Sequence, residues 1–413
     1  MEGRFLFGNG PLQSVADAHR RAKRRLPAPV YMACIGGRGA GNVIKRNQTD
    51  LASIVLNSRV GDEPEDLDLS TTVMGQQLSM PVILAPVGAQ ALRPEAESQA
   101  ARAAAKAGTT FALSNVASQS LSDVITHNPG TLAQLYWGGS RDHIIERVHR
   151  YREQGAAGLI ITLDWSKGPG TDWDAGTVPA KMGLGTMARF APSVIPHPGW
   201  LAGFLRHKEL PSLGVPQFAT AEDPDPLFAD ALELIESTTQ PTWEDVAWLK
   251  QEFDGPVMAK GIFHPEDARR ALDAGVDAIA VSNHGGNTVD DKQSSIRALP
   301  DVVEAVGDQI EVLMDGGVYR GSDVVKSLSL GARAVMVGRG YLWALAARGE
   351  AGVSEILEVY RGGIEQALRT VKVSSVHDLR PEHLITPGEF SGIGAVPALC
   401  DPSPVQPVPG PAA

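Results

Sequence analysis

The chain alternates short apolar runs with amphipathic segments from about residue 81 to residue 339. Continuous apolar runs are typical of strands buried on both faces, and apolar residues three or four positions apart are typical of helices that cover a sheet. Eight strands, each followed by a helix, predict an α/β fold of the (β/α)8 TIM barrel type, whereas a doubly wound open sheet would not need eight repeats. The predicted strands are 81–87, 109–114, 132–137, 158–164, 255–261, 278–283, 311–317 and 334–339, and the clearest helices are 95–107, 142–154, 265–274, 297–306 and 321–330.

The stretch 165–241 after the fourth strand interrupts this alternation of strands and helices. It is rich in Gly and Pro, and its apolar residues have no regular spacing. A connection of this length at the carboxyl end of a barrel strand is usually functional, so we predict a lid or a substrate-binding insertion. A disordered insert is the alternative, but Trp173, Trp200 and several phenylalanines indicate that the segment packs.

Both ends of the chain lie outside the repeated pattern. A basic helical pattern at 18–26 ends at a proline, and the glycine-rich stretch 36–41 has no strand before it, which favours a flexible connection over a phosphate loop. A closing helix is predicted at 353–368. Residues 386–413 form a Pro-rich tail that we expect to be disordered, so residues 1–385 are predicted to be a single domain.

Charge and cysteine content narrow the function classes. The sequence has 37 basic and 48 acidic residues and a pI near 5.4, which argues against nucleic acid and an anionic membrane as main partners. Cys34 and Cys400 allow neither a disulfide framework nor a zinc spacing, so no metal site is expected. No apolar signal segment or bilayer-spanning run stands out either, and together these features predict a cytoplasmic protein.

A histidine follows the strand predicted at 278–283, directly before Gly285 and Gly286. Ligands bind at the carboxyl ends of parallel strands, and glycines there release the backbone for a tight turn. Because histidine titrates near neutral pH, His284 is a candidate general base. A turn histidine that only caps the strand is the alternative.

Polar residues and glycines also stand at the carboxyl ends of the other predicted strands. The glycines after the last two strands, together with Arg339, suit a phosphate group. Lys260 needs an anionic partner, either a ligand group or Asp315 as a structural pair, and satisfied core polar residues are the alternative for Gln134 and Thr162. As a set, these groups suit a flat polar heterocycle with a phosphate tail, such as FMN. The set comprises Pro86, Val87, Gly88, Ser114, Gln134, Tyr136, Thr162, Asp164, Lys260, Ser282, Asp315, Gly316, Gly317, Gly338 and Arg339.

As they stand in this sequence, these motifs resemble the FMN-dependent α-hydroxy-acid oxidase and dehydrogenase family, whose members are (β/α)8 barrels. The resemblance runs from about residue 20 to residue 385, and the Ser-Asn-His-Gly-Gly stretch in its strand context is a specific signal. It implies an enzyme that binds FMN and passes electrons to oxygen or to an electron carrier, often as a tetramer. The matching stretches are 81–86, 134–136, 162–164, 260–261, 282–286, 315–317 and 338–339.

The resemblance also assigns roles to individual residues. It implies that His284 is the active-site base, that Asp164 orients it and that Tyr136 faces the substrate. It further implies that Lys260 and the other rim residues contact FMN. As a hypothesis, we expect Lys260 to stabilise the negative charge that develops on the reduced flavin.

The sequence departs from the family pattern where the family holds a substrate carboxylate with two arginines and a tyrosine. Asn287 and Ala33 occupy two of these substrate-side positions, and the third falls near Thr171 in a looser alignment. Asparagine cannot replace the bidentate, charge-assisted grip of arginine on a carboxylate. We therefore predict a pocket that was not built for a small 2-hydroxy-acid anion. A further departure is Tyr319, where the family usually has an arginine beside the flavin.

One branch of the family shares these replacements and the stretch 162–166, and it acts in mycofactocin biosynthesis. The resemblance to this branch implies oxidative deamination of a peptide-derived pyrrolidinone amine to an α-keto amide. A more widely shared stretch at 242–248 discriminates little. Two alternatives remain: a 2-hydroxy-acid oxidase for lactate, glycolate or mandelate that uses Lys167 or Arg189 as cations, and a non-enzymatic FMN carrier.

Overall fold

The computed structural model describes residues 10–89, 92–166, 170–173, 184–208, 211–388 and 390. The strands are β1 (Val55–Leu56), β2 (Thr71–Val73), β3 (Gln76–Leu78), β4 (Val82–Leu84), β5 (Ala112–Leu113), β6 (Leu132–Tyr136), β7 (Gly158–Thr162), β8 (Val257–Ile262), β9 (Ala278–Val281), β10 (Glu311–Asp315), β11 (Ala334–Val337) and β12 (Leu384–Ile385). The helices are α1 (Val15–Arg25), α2 (Ala28–Ile35), α3 (Asn42–Ser53), α4 (Ala96–Lys106), α5 (Leu121–Ile125), α6 (Arg141–Glu153), α7 (Leu184–Val194), α8 (Pro198–Arg206), α9 (Phe228–Ser237), α10 (Trp243–Phe253), α11 (Pro265–Asp273), α12 (Ser295–Val306), α13 (Gly321–Ser329), α14 (Arg339–Arg348) and α15 (Glu350–Val371).

Strands β4 to β11 form one eight-stranded parallel sheet in the order β4-β11-β10-β9-β8-β7-β6-β5. The two edge strands meet through a parallel bridge between Leu84 and Phe111, and the Leu84 N–H donates to the Thr110 carbonyl at 3.2 Å. This contact closes the sheet into a ring. The predicted (β/α)8 TIM barrel is therefore confirmed.

An inner layer of apolar side chains fills the interior of the barrel. Along each strand these residues alternate with residues that pack against the outer helices. A hairpin of β2 and β3 adds Val73, Met74 and Leu78 to this inner layer. The backbone N–H of Met74 donates to Glu311 at the start of β10 at 2.8 Å. The hairpin therefore plugs the amino end of the barrel, which leaves the carboxyl end for a ligand.

Helix α14 was not predicted from the sequence, although it directly follows the eighth strand. Its residues from Gly340 to Ala347 are all buried, because it packs between α1, α4 and α15. A helix enclosed on all sides lacks the one-sided apolar stripe by which surface helices are recognised. The helices that do carry such a stripe, among them α4, α6, α11, α12 and α13, lie within one or two residues of the predicted bounds.

The insertion after β7 contains the helices α7, α8 and α9 among its described residues, and it contacts the barrel. Trp200 on α8 is 8% exposed, and its indole N–H donates to the Leu92 carbonyl at 3.1 Å. Trp200 is therefore packed, as its presence in the insertion suggested, while the action of the segment as a lid stays a prediction.

The glycine-rich stretch 36–41 is not the flexible connection that the sequence favoured. Gly39 pairs with the insertion at Thr171: its N–H donates to the Gly170 carbonyl at 3.2 Å, and its carbonyl accepts from Asp172 at 2.9 Å. Side chains added at Gly37 or Gly41 would meet the ring of Trp173. The glycines thus serve close packing between the N-terminal segment and the insertion.

The predicted tail 386–413 lies mostly outside the described residues. Phe390, which is described, is 6% exposed, and the Arg297 guanidinium lies 4.9 Å from the centre of its ring. No described helix is both long enough and apolar enough to cross a membrane. Likewise, the described residues contain no group of three or more His, Cys, Asp or Glu side chains that could hold a metal ion.

Candidate active site

The two-residue period of the strands positions the polar residues of the rim. Side chains two positions apart on a strand point to the same face, so a residue that follows an inward apolar residue by two positions also points into the barrel. The inner apolar layer is followed in this way by a ring of polar residues at the carboxyl end. The pairs are Ala112 and Ser114, Leu132 and Gln134, Ile160 and Thr162, Met258 and Lys260, Ala280 and Ser282, and Leu313 and Asp315.

One half of this ring is an ionic network. Lys260 Nζ lies 2.9 Å from Asp315 Oδ2 and donates to Ser282 Oγ at 2.8 Å, and Ser282 donates to Asp315 Oδ1 at 2.8 Å. Lys260 is 4% and Asp315 6% exposed. Such a buried pair is stable because each charge is matched and hydrogen-bonded. The structural pairing of Lys260 with Asp315 that the sequence left open is therefore present, and it fixes the ammonium at the rim.

The other half of the ring is neutral. The Gln134 carbonyl oxygen accepts from the Asn115 N–H at 2.9 Å and from Ser114 Oγ at 3.4 Å, and its amide group donates to Thr162 Oγ1 at 3.0 Å. Ser114, Gln134 and Thr162 are buried. The network holds the Gln134 amide in one orientation, with an acceptor on one side and a donor on the other.

His284 lies just past β9, in a tight turn that needs unusual backbone angles. His284 has φ +55° and Gly285 has φ +61°, so both lie in the left-handed region. The His284 backbone N–H donates to Ser282 Oγ at 3.0 Å, which ties the turn to the ionic network. A non-glycine residue in this region is uncommon and often marks a functional position.

The imidazole of His284 lies between a carboxylate and a phenol. Its Nδ1 is 3.1 Å from Asp164 Oδ1, and its Nε2 is 3.1 Å from Tyr136 Oη. Burial alone would raise the pKa of Asp164, but the His284 imidazole, with smaller contributions from Lys260 and Lys292, holds that pKa well below its usual range. Because an ionised carboxylate only accepts hydrogen bonds, Nδ1 carries a proton, and in the neutral form of the ring the lone pair is therefore on Nε2.

Tyr136 stays protonated beside that lone pair. Burial, with a smaller contribution from the Asp164 carboxylate, raises the pKa of Tyr136 far above its usual value. Its hydroxyl therefore donates to Nε2 of His284, and the two rings stack with an interplanar angle of 10°. This places Tyr136 and His284 side by side at the mouth of the barrel.

Two neighbours of the His284–Asp164 pair have roles that the sequence did not indicate, although Gly261 belongs to the matching stretch 260–261. Gly261 has φ +104°, and a Cβ built on it would lie 2.5 Å from Asp164 Cβ, so glycine is needed here to make room for the carboxylate. Lys292 Nζ lies 3.4 Å from Asp164 Oδ2, so Asp164 is shared between His284 and Lys292. Nothing in local sequence patterning links Lys292 to a residue so distant along the chain.

An apolar wall closes one side of the site. The Trp165 ring makes edge contacts with Tyr136 and His284, with centroids 5.2 and 5.8 Å apart. Val215 and Phe218 from the insertion pack in the same cluster. Thus the insertion contributes aromatic and aliphatic surface next to the candidate base. Lys167, an alternative carboxylate ligand in the sequence analysis, lies outside the described residues, and Arg189 is exposed on α7.

Arg339 binds two backbone carbonyls at the mouth of the barrel. Its Nε donates to the Ile35 carbonyl and its Nη1 to the Gly285 carbonyl, both at 2.7 Å. In this structure the guanidinium therefore ties the N-terminal segment to the His284 turn, and its grip on phosphate stays a prediction. Gly338 directly precedes α14, whose first-turn N–H groups have no acceptor within the helix.

Asn287 contacts the N-terminal segment, and its place on the substrate side stays a prediction. Its Oδ1 accepts from the Gly37 N–H at 2.5 Å and lies 3.3 Å from Arg339 Nη2. A Cβ on Gly36, where φ is +56°, would collide with the same oxygen. Asn287 therefore fastens the N-terminal segment to the His284 turn.

The remaining predicted residues lie as follows. Ala33 is exposed on α2, and Tyr319 packs with its ring centre 5.8 Å from that of Trp343. A side chain at Gly316 or Gly317 would meet Asn47 of α3, so these glycines serve packing as well as any phosphate role. The segment Pro86, Val87 and Gly88 directly follows β4 at the same end of the barrel.

Comparison with known proteins places this chain in a family. Residues 22–386 match the family model described as FMN-dependent dehydrogenase. The chain belongs to this family. It is an FMN-dependent oxidoreductase. The chain is 47% identical to pre-mycofactocin synthase from Mycolicibacterium smegmatis, over 94% of its length and 97% of the relative. It is 36% identical to an L-lactate dehydrogenase from Caulobacter vibrioides, over 88% of its length and 95% of the relative.

A solved structure gives the same fold. A (S)-mandelate dehydrogenase, described as a monotopic membrane protein, superposes with a TM-score of 0.83 at 29% identity, over 92% of this chain and all of that one. The flavoenzyme assignment agrees with the donor set at the rim. A fixed amide, hydroxyl groups and a buried ammonium match the polar edge of an isoalloxazine, and the free N–H groups at the start of α14 match a phosphate.

Proposed function

We propose that this flavoenzyme oxidatively deaminates a neutral, peptide-derived pyrrolidinone amine to an α-keto amide in mycofactocin biosynthesis. The similarity to pre-mycofactocin synthase over nearly the whole of both chains supports the pathway. The observation that carries the proposal is how the charges of the site are held: it has a base, but the described cations beside that base already bind oxygen atoms of the protein.

Each described cation next to the base is held by protein oxygens. Lys260 pairs with Asp315, Lys292 with Asp164, and Arg339 binds two backbone carbonyls. A small 2-hydroxy acid would need to detach one of these cations, or bring its carboxylate into the barrel without a partner, which costs several kcal/mol. A lactam carbonyl and an aromatic side chain need no cation as a partner, and they suit the apolar wall of Trp165, Tyr136 and Phe218.

The assignment of FMN contacts belongs to the same proposal. Ser114, Gln134 and Thr162 would hold the polar edge of the ring, and Lys260 with Ser282 and Asp315 would hold its electron-rich side. The backbone of Gly338 and Arg339, with Gly316, Gly317 and the segment Pro86–Gly88, would receive the phosphate chain. When bound, FMN accepts the two electrons and the hydrogen that leave the substrate carbon.

The chain's own residues then move the other proton. His284 Nε2 takes a proton from the substrate amine, Asp164 holds Nδ1–H and stabilises the imidazolium, and the Tyr136 hydroxyl positions the substrate beside Nε2. Lys260 offers a fixed positive charge where negative charge develops. Loss of the hydride from the substrate carbon and of the N–H proton to His284 would leave an imine. Addition of water to the imine would then release ammonia and the α-keto amide, and oxygen or an electron carrier would finally take up the two electrons.

Anaerobic flavin bleaching tests this proposal directly. We expect a 3-aminopyrrolidin-2-one with an aromatic side chain to bleach the bound flavin and to yield the α-keto amide and ammonia, identified by mass spectrometry. L-lactate, glycolate and (S)-mandelate should bleach it at least 100-fold more slowly. The similarity to L-lactate dehydrogenases supports the alternative, a 2-hydroxy-acid oxidase. Fast bleaching by a hydroxy acid, with none by the amine, would establish that alternative instead.

A further inference from the structure

Lys292 is a cation at the active site that the reaction described above does not use. It lies on the loop between β9 and α12, and its Nζ is 3.4 Å from Asp164 Oδ2. The other oxygen of the same carboxylate, Oδ1, faces His284 Nδ1 at 3.1 Å. The Lys292 side chain is 26% exposed and lies 5.8 Å from the centre of the Phe263 ring, whereas Asp164 is only 3% exposed.

The arrangement gives one carboxylate two cationic partners when the base is protonated. A carboxylate bound to an imidazole alone stabilises the imidazolium strongly, which makes the histidine harder to deprotonate. The Lys292 ammonium on the second oxygen opposes this effect, because it repels the positive charge of the imidazolium on the other side of the carboxylate. It also fixes the rotation of the carboxylate, so that Oδ1 stays aimed at Nδ1.

The other groups around His284 do not duplicate this effect. Tyr136 is a protonated phenol, and Trp165 is neutral. Lys260 lies at the end of β8, where Asp315 neutralises it at 2.9 Å. Arg339 contacts the turn through the Gly285 carbonyl and not through the imidazole. Lys260 also lowers the pKa of Asp164, but among the described lysines and arginines Lys292 is the one that forms an ion pair with this carboxylate.

We infer that Lys292 is a positioning residue that shares Asp164 with His284 and so keeps the base neutral, and active, at lower pH. The inference rests on the proposed role of His284 as the base. It gives the loop after β9 a second function, because the same loop carries both the base and the cation that tunes it.

The expected size of the effect follows from the geometry. The two partners lie on opposite oxygens of one carboxylate, so their charges are on the order of 6–8 Å apart, and partial exposure of Lys292 screens them. We expect removal of this cation to move the acid limb of the pH profile to higher pH by roughly half to one unit. At pH values well above the limb, the rate should change by less than about threefold.

The test compares Lys292→Met with Lys292→Arg in the FMN-loaded protein. The rate of anaerobic flavin reduction by the aminopyrrolidinone is measured between pH 5 and 9. The methionine variant should show the shifted limb, and the arginine variant should restore the wild-type profile. Lys250→Met is the matched control, because Lys250 is also 26% exposed and pairs with Asp277 at the other end of the barrel, at 2.6 Å. Its profile should not move.

A second readout separates this inference from the proposed function. NMR titration of the His284 ring, assigned by loss of its signal in His284→Ala, reports protonation without any substrate. The role of Lys292 would be overturned if Lys292→Met changed neither the acid limb of the pH profile nor the midpoint of the His284 NMR titration. This holds even if the amine is oxidised. A uniform loss of rate at every pH would likewise reduce Lys292 to a structural role. If no amine reduces the flavin, the proposed function fails, and the NMR midpoint alone then decides the case of Lys292.

Discussion

Substitution of Asn287 by arginine tests how the N-terminal segment is fastened to the active-site turn. Asn287 Oδ1 accepts the Gly37 N–H at 2.5 Å and lies 3.3 Å from Arg339 Nη2. The longer side chain would leave the Gly37 N–H without its acceptor, which costs about 1–3 kcal/mol. It would also place a second guanidinium beside Arg339, at a cost of about 1 kcal/mol for two charges that are screened as in water. We expect Asn287→Arg to lower the free energy of unfolding by about 2–4 kcal/mol.

Two measurements check this expectation in the FMN-loaded protein. Denaturant unfolding gives the loss of stability, and hydrogen exchange should show faster exchange of the amides of Gly37 and Gly39. Asn287→Asp is the matched control, since it keeps an acceptor oxygen and adds a favourable charge beside Arg339. Asn287→Arg should not oxidise L-lactate or (S)-mandelate, because the new guanidinium cannot occupy the space already filled by Gly36 and Gly37. Unchanged stability and exchange, together with acquired hydroxy-acid oxidation, would refute this reasoning.

Three further predictions follow from the buried charges and the turn glycine. Gly261→Ala places a Cβ 2.5 Å from Asp164 Cβ at φ +104°, so we expect a loss of about 2–4 kcal/mol in thermal unfolding and slower flavin reduction; a wild-type melting temperature would contradict this. Lys260→Met leaves Asp315 buried without its cation, so denaturant unfolding should show a loss of about 3–5 kcal/mol in the free energy of unfolding. An unchanged free energy of unfolding would mean that the ion pair does not stabilise the fold. Because the pKa of Asp164 is depressed in the folded state, its contribution to stability is complete above about pH 4, the unfolded value, and is lost as the pH falls toward the folded pKa. Unfolding midpoints between pH 2 and 6 should therefore fall less steeply in Asp164→Asn, and equal slopes would argue against an ionised Asp164.

The barrel could be predicted from the sequence because its strands are buried on both faces. Runs such as Ala278–Val281 stay apolar throughout, and helices such as α11 carry one apolar stripe. The β2–β3 hairpin escaped prediction because its strands are three residues each, too short for a pattern to stand out. Helix α14 escaped it because it is buried on all sides.

The candidate site was predictable where it follows the strand period, and not where it depends on long-range contacts. Gln134 and Lys260 stand two positions after inward apolar residues, so their convergence at the rim follows from the pleat. Asn287 was placed on the substrate side, yet its partner Gly37 is 250 residues away along the chain. The contact between Lys292 and Asp164 likewise spans 128 residues. Such pairings depend on how the loops cross the barrel mouth, which local sequence does not encode.

Single-turnover flavin reduction in His284→Ala is the most direct test of the central claim that His284, held by Asp164, is the base of an amine-oxidising flavoenzyme. The variant should bind FMN with an unchanged visible spectrum, because His284 is assigned no part in holding the cofactor. Anaerobic mixing with the aminopyrrolidinone in a stopped-flow instrument should then bleach the flavin at least 100-fold more slowly than in the wild type. Bleaching at the wild-type rate by a fully loaded His284→Ala protein would contradict the account.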